Sequence, residues 1–184
     1  GVDSIDFFAT TYFGPGGSLE PELPSFNLYM ENVAGILQTG KTYSDVAVYV
    51  PYEDGVMKGA YPPERQRVWV WGEYELRYVF PPEELEGYHP LWINRHFLNE
   101  SDYVDGKLKV GDATFSLLYI DVNYMDIRAL QRVLELAKMG LPVCLKNNPS
   151  EPGMQKSKDY QDMLQSLIGL GNVSKELKQL IKLN

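Results

Sequence analysis

The stretch from Thr114 to Lys146, TFSLLYIDVNYMDIRALQRVLELAKMGLPVCLK, constrains the fold of this chain more than any other. Phe115 to Asp121 is apolar and rich in strand formers, as a strand buried on both faces must be. Asp126 is placed to cap a helix, and Ile127, Leu130, Val133, Leu134 and Ala137 fall on one helical face. Lys138 and Gly140 supply the stop signal, because glycine enters the left-handed region at little cost. Leu141 to Lys146 then reads as a second short strand. A helix crossing between two buried strands makes them parallel neighbours. The spacing therefore predicts a β-α-β unit and, with it, an α/β fold.

Composition narrows the setting. With 184 residues, 44% of them hydrophobic, the chain can bury the core of one ordinary domain. No apolar run approaches the roughly 20 residues that cross a membrane as a helix. The formal net charge of −8 argues against nucleic acid or an anionic membrane as partner, since phosphate binding needs clustered Lys and Arg. The single cysteine, Cys144, cannot form an internal disulfide. Lying within a predicted strand, it is expected to fill core space.

Around the central unit, other elements can be read in turn. Residues 1–24 contain a Gly-Pro-Gly-Gly turn and two further prolines, and read as a linker. Ser25 is expected to cap a helix whose apolar face is Phe26, Tyr29, Met30, Val33, Ile36 and Leu37, with Gly40 ending it. Asp45 to Pro51, DVAVYVP, has the pattern of a fully buried strand. The following YEDGVMKGAYPPE reads as a long loop carrying Glu53 and Asp54. In open α/β sheets ligands gather at the carboxyl ends of strands, which is where this loop falls. The segment RQRVWVWGEYELRYVF reads as mixed, a strand at Val68 and Val70 and a short helix around Glu73, Glu75 and Leu76. Pro82 with Glu83 and Glu84 signals a helix start. Leu91 to Ile93 is a short buried strand. Asp105-Gly106 between YV and KLKV signals a tight hairpin. Ser157 and Ser174 are expected to open two final helices.

Several catalytic patterns are missing. Cys144, flanked by Val143 and Leu145, is not on a nucleophile elbow, and no G-x-S-x-G occurs. No G-x-G-x-x-G follows a strand, and the first strand exits into an acidic turn that would repel phosphate. His89 and His96 are separated by a proline and a strand, so no metal site is expected, and no cofactor. Glu53, Asp54, Glu73, Glu75 and Asp121 are the carboxylates that a hydrolase would pair. Asp121, Asn123 and Lys146 lie at the carboxyl edge of the β-α-β unit. Trp69 and Trp71 offer stacking surfaces for a sugar, or an apolar face for a neighbouring domain. Glu53, Asp54, Trp69, Trp71, Glu73, Asp121, Asn123 and Lys146 are the candidate ligand or domain-interface positions.

Two stretches already quoted carry a family resemblance. In SFNLYMENVAGILQTGKTYSDVAVYVPYED, Leu37, Gly40, Lys41, Asp45, Val46 and Ala47 reproduce a helix-to-strand pattern. That pattern resembles the segment after the catalytic barrel of α-L-rhamnosidases in glycoside hydrolase family 106. DGKLKVGDATFSLLYIDVNYMDIRALQRVLELAKMGLPVCL is similar to the hairpin, strand, helix and strand of the same module. The resemblance spans residues 25–150. It implies a three-layer, mainly parallel, flavodoxin-like sheet with helices on both faces and an added β-hairpin. This fold is similar to class I glutamine amidotransferases and to the oligomerisation domain of family 42 β-galactosidases.

The resemblance also implies a role. Residues 1–24 become the exit from a barrel and 25–184 a single accessory domain of a larger, extracytoplasmic enzyme acting on plant or complex polysaccharides. A (β/α)8 barrel takes about 250 residues, so none fits here. The family's catalytic carboxylates and calcium ligands lie in that barrel and map onto no position of this chain. The expected partners are the catalytic barrel or a second copy of the domain. Two alternatives stand beside this reading: an independent carbohydrate-binding module using Trp69 and Trp71, and a small hydrolase using Glu53, Asp54 or Asp121.

Overall fold

A computed structural model describes residues 12, 14–41, 43–58, 66–69, 72–79, 82–154 and 156–181, with only the backbone given for 58, 66–69 and 72–79. Contacts divide the chain after Thr42 into two units. The first holds a 3-10 turn at Glu20–Glu22 and helix α1, Leu23–Thr39. Pro24 sits in its first turn, where a missing N–H costs nothing. Ser25 does not cap this helix: its hydroxyl donates to the Glu22 carbonyl from within the first turn. The apolar stripe expected to pack contributes no buried residue.

The second unit is built on a five-stranded parallel sheet. Its strands are β1 (Val46–Tyr49), β4 (Leu91–Ile93), β8 (Leu117–Ile120), β9 (Val143–Leu145) and β10 (Val173–Ser174). The spatial order is β10-β9-β8-β1-β4, with every pairing parallel. Counted along the chain from the β4 edge, that is the 2-1-3-4-5 order of flavodoxin-like sheets. All four residues of β1 and of β8 are buried. Successive side chains point to opposite faces, so each strand feeds two cores. Ala47, Tyr49, Leu118 and Ile120 pack on one side with α4 (Ile127–Lys138), α5 (Tyr160–Ile168) and Leu98 of α3 (Arg95–Glu100). Val46, Val48, Leu117, Tyr119 and Cys144 pack on the other with Leu85, and with Leu177 and Leu180 of α6 (Leu177–Ile181). The layers are helix, sheet, helix, as the sequence predicts.

The β-α-β unit is seen as read. Asp126 accepts a hydrogen bond from the Arg128 N–H at 2.9 Å and caps α4. The helix ends with Gly140 N–H to Ala137 carbonyl and Leu141 N–H to Leu136 carbonyl, the paired bonds of a Schellman motif. Gly140 has φ +112°, which side-chain-bearing residues avoid. Strand β8 then lies beside β9 with Leu118 opposite Val143.

A second, antiparallel sheet of β5 (Asp102–Val104), β6 (Lys107–Val110) and β7 (Ala113–Phe115) joins the first through Ser116. The turn between β5 and β6 has φ +52° at Asp105 and +74° at Gly106, as a two-residue type I′ loop requires. Leu108 and Phe115 carry this sheet into the larger core.

Three local expectations are corrected. The stretch after β1 is not all loop: Tyr52–Lys58 forms a short helix, α2, with Glu53 and Asp54 in its first turn. Acidic residues there offset the exposed N–H groups of a helix start, which outweighs Gly55 within it. Residues 72–79 form a strand, β3, antiparallel to β2 (Gln66–Trp69), so the helix read around Glu73 and Glu75 is wrong. Tyr74, Tyr78 and Val79 are strand-forming residue types and favour extended backbone there. Ser157 does not cap α5; its N–H and hydroxyl both donate to the Glu151 carboxylate instead.

Substituting Gly140 with alanine tests the helix stop. The strained φ would lower unfolding free energy by about 1–3 kcal/mol, read from urea denaturation of the two proteins side by side.

Candidate functional site

The direction of chain progression across the sheet reverses between β1 and β8, and ligands of such folds lie outside the carboxyl ends of the strands at that reversal. Here that place is occupied by a side chain. Asp54, 5% exposed, projects from α2 onto the loop that follows β8. Its Oδ1 accepts from the Tyr124 N–H at 2.7 Å and the Asn123 N–H at 2.9 Å. Its Oδ2 accepts from the Asn123 side-chain amide at 2.7 Å and shares the Asn123 N–H at 3.0 Å. The Asp54 carboxylate thus stitches the two crevice walls together. Beyond it, the Asn123 carbonyl accepts from Ser150 N–H and Ser150 carbonyl from Met125 N–H, which ties in the loop after β9.

Glu53, the adjacent residue, does something different. It is 8% exposed, and its Oε1 accepts the Tyr49 hydroxyl at 2.9 Å. Burial first, then the charge and hydrogen bond of Glu53, pushes the Tyr49 phenol well above its ordinary value, so it remains a donor. Glu53 Oε2 is buried and has no hydrogen-bond partner among the described residues. Glu53 also lines a cavity of about 580 Å³ beside the carboxyl ends of β1 and β4. Tyr52, Val56, Arg95, Asp126 and Pro152 form other parts of its wall. Arg95 pairs with Asp126 at 3.2 Å, so that aspartate serves both as helix cap and as counter-ion.

The other candidates are distributed. Lys146 pairs with Glu84 at 3.0 Å, and Glu84 also accepts the Tyr119 hydroxyl on the opposite face of the sheet from α4. Burial opposes the charged form of Glu84, but the Tyr119 and Lys146 donors prevail and hold its carboxyl below the usual range. For Lys146, burial likewise opposes the charge, and Glu84 overrides it to raise the ammonium. Asp121 accepts from the Asn147 amide at 2.8 Å. Trp71 and the side chains of Trp69 and Glu73 lie outside the described residues. The structure therefore brings Asp54 to Asn123 and pairs Lys146 with Glu84. Cys144 is fully buried, and desolvation lifts its thiol to about 12, as suits a core filler.

No family model, curated protein or solved structure matches this chain. The site must speak for itself. Among the described residues, no three His, Cys, Asp or Glu side chains converge for a metal ion. His96 pairs with Glu100 at 3.4 Å on α3, and His89 lies edge-on to Tyr43. Sequence reasoning missed Tyr49, Arg95 and Glu84 as site residues. Glu84 was legible only as a helix-start acid. The roles of Arg95 and Glu84 arise from long-range contacts, Arg95 with Asp126 and Glu84 with Lys146, whereas Tyr49 meets Glu53 within the same segment.

Two substitutions probe these contacts. Asp54→Ala leaves the Asn123 and Tyr124 N–H groups without their acceptor and should cost about 2–4 kcal/mol of unfolding free energy, measured by chemical denaturation. Glu84→Gln should lower Tm at pH 7. Because the folded pKa of Glu84 is depressed, its contribution is complete above the ordinary carboxylate value and is lost as pH falls through the folded one. Melting curves of both proteins should accordingly converge in acid.

Proposed function

We propose that this chain is a non-catalytic α/β accessory domain of a larger, α-L-rhamnosidase-like glycoside hydrolase that works outside the cytoplasm on plant or complex polysaccharides. The observation carrying this reading is the Asp54 clamp. Where flavodoxin-like folds open a crevice for a ligand, this chain spends a buried carboxylate on holding two of its own loops. The family resemblance of residues 25–150 supplies the enzyme context. Support for a structural role also comes from Lys146 and Cys144. The former is held by Glu84, and the latter is buried with its thiol raised out of the reactive range. The domain's partner in this reading is the catalytic barrel or a second copy of itself.

A standalone hydrolase is the weaker reading. Asp54 accepts every one of its hydrogen bonds from Asn123 and Tyr124 across the crevice, so as a catalytic acid or base it would have to break the clamp. A sugar-binding module built on Trp69 and Trp71 would be established by millimolar or tighter sugar binding that Trp71→Ala abolishes.

The deciding experiment combines the native gene with an assay. The reading frame should encode several hundred residues of barrel upstream, and the chain alone should not hydrolyse aryl α-L-rhamnosides. A short frame, or turnover abolished by Asp54→Asn, would overturn the proposal.

A further inference from the structure

The cavity of about 580 Å³ at the carboxyl ends of β1 and β4 has two kinds of wall, and an accessory role explains neither. Tyr52 and Val56, four residues apart on α2, share one face of that helix, and with Val50 and Pro152 they supply the apolar wall. The polar wall comes from Asn94, Arg95 and His96, where β4 runs into α3, and from Asp126 at the start of α4. Its groups set donors beside an acceptor. Asn94 Oδ1 accepts the Phe97 N–H at 3.0 Å, which leaves the amide NH2 group to donate. Arg95 Nη1 lies 3.2 Å from Asp126 Oδ2, so their charges offset one another within the wall. Glu53 does not join these groups, since its Oε1 takes the Tyr49 hydroxyl and its Oε2 is buried. Its charge still bears on what can enter. An anion would meet the carboxylates of Glu53 and Asp126 against the guanidinium of Arg95, and a cation would have to draw Asp126 away from Arg95. A neutral ligand meets neither penalty.

We propose that this cavity binds a neutral pyranoside, with ring hydroxyls hydrogen-bonded to the Arg95–Asp126 pair and the Asn94 amide, and the C–H face of the ring against Tyr52 and Val56. A hydroxyl both donates and accepts, so neighbouring hydroxyls on one ring satisfy a guanidinium and a carboxylate held side by side. The C–H face of the same ring gains by leaving water for an aromatic and an aliphatic side chain. Cavities of this size hold small organic ligands, and a single sugar ring fits. The assignment rests on the chemistry of the wall and not on the enzyme context proposed above, and its residues are distinct from Trp69 and Trp71.

The full chain, labelled with nitrogen-15, would be titrated with methyl α-L-rhamnopyranoside and with methyl β-D-galactopyranoside and followed by amide chemical shifts. Saturating shifts at Tyr52, Asn94, Arg95 and Asp126 in the low-millimolar range are expected for at least one of them. Cyclohexylmethanol, which keeps an apolar ring but carries one hydroxyl, should bind at least tenfold more weakly, and so should acetate. Arg95→Met should cost the pyranoside at least tenfold. Since that change also frees Asp126, Val56→Trp gives an independent check. Val56 is 64% exposed, so the fold should be retained, as read from the amides of the sheet, while the cavity is filled and binding is lost. Absence of saturation by both pyranosides at 20 mM, equal affinity for pyranoside and cyclohexylmethanol, shifts confined to residues 66–79, or binding untouched by both variants would overturn the proposal. None of these outcomes bears on whether a barrel lies upstream, so the two proposals fail separately.

Discussion

Burial of β1 and β8 on both faces is the constraint from which the rest of the second unit follows. A strand with no solvent-facing side has nowhere to place backbone polar groups except in ladders with its neighbours. Val46 to Tyr49 and Leu117 to Ile120 meet that demand by pairing with each other, and then with β4 and β9. Each must also be covered twice. Alternation divides Val46 and Val48 from Ala47 and Tyr49, so two separate helical layers are needed, and the chain supplies them in α4 with α5 and in α6 with the Leu85 turn. Parallel strands cannot be joined by tight turns, so every connection must leave one end of the sheet and return to the other. That geometry collects the loops after β1, β4, β8 and β9 at one edge, which is where Asp54, Arg95, Asn123 and Lys146 all lie.

What happens at that edge is decided by how donors and acceptors are matched. The Asn123 and Tyr124 N–H groups fall just past the end of β8, where the ladder can no longer satisfy them. Asp54 accepts from both. On the other face, Tyr119 buries a hydroxyl that needs an acceptor, and Glu84 provides it while also neutralising Lys146. In each case a carboxylate from one connection satisfies groups on another, and the gain comes from avoided desolvation more than from the Coulomb attraction, which a third-exposed pair such as Glu84 and Lys146 largely shares with water. The same loops are thereby tied to one another.

The layered architecture was legible because its signals are local. Hydrophobic runs at 46–49 and 117–120, the Asp126 cap and the Gly140 stop each act within a few residues, and each appears in the structure as read. The type I′ turn at Asp105-Gly106 is legible for the same reason. Failures cluster where two local signals compete. Gly55 argued for a loop, yet the acidic first turn of α2 prevailed. Glu73, Glu75 and Leu76 matched helical spacing, yet pairing of β3 with β2 set extended backbone. The site was only half legible. That Asp54 and Asn123 belong to one edge follows from strand order, but their contact spans 69 positions and no pattern in either segment announces it. Arg95 with Asp126, and Glu84 with Lys146, are hidden likewise.

The divergence of Glu53 and Asp54 shows how a short helix can split one acidic pair into two functions. Neighbouring residues on an α-helix point about 100° apart. With Asp54 directed at the β8 loop, Glu53 is turned back toward β1, where the Tyr49 hydroxyl meets one of its oxygens. Both carboxylates are buried, so neither can be solvated instead, and each must find donors within reach. Asp54 finds enough: four contacts to its two oxygens. Glu53 finds one among the described residues. A loop at this position would let both acids rotate into water. By holding them in a helical turn, α2 converts a sequence feature that reads as surface charge into a closed crevice on one side and an unfilled acceptor on the other.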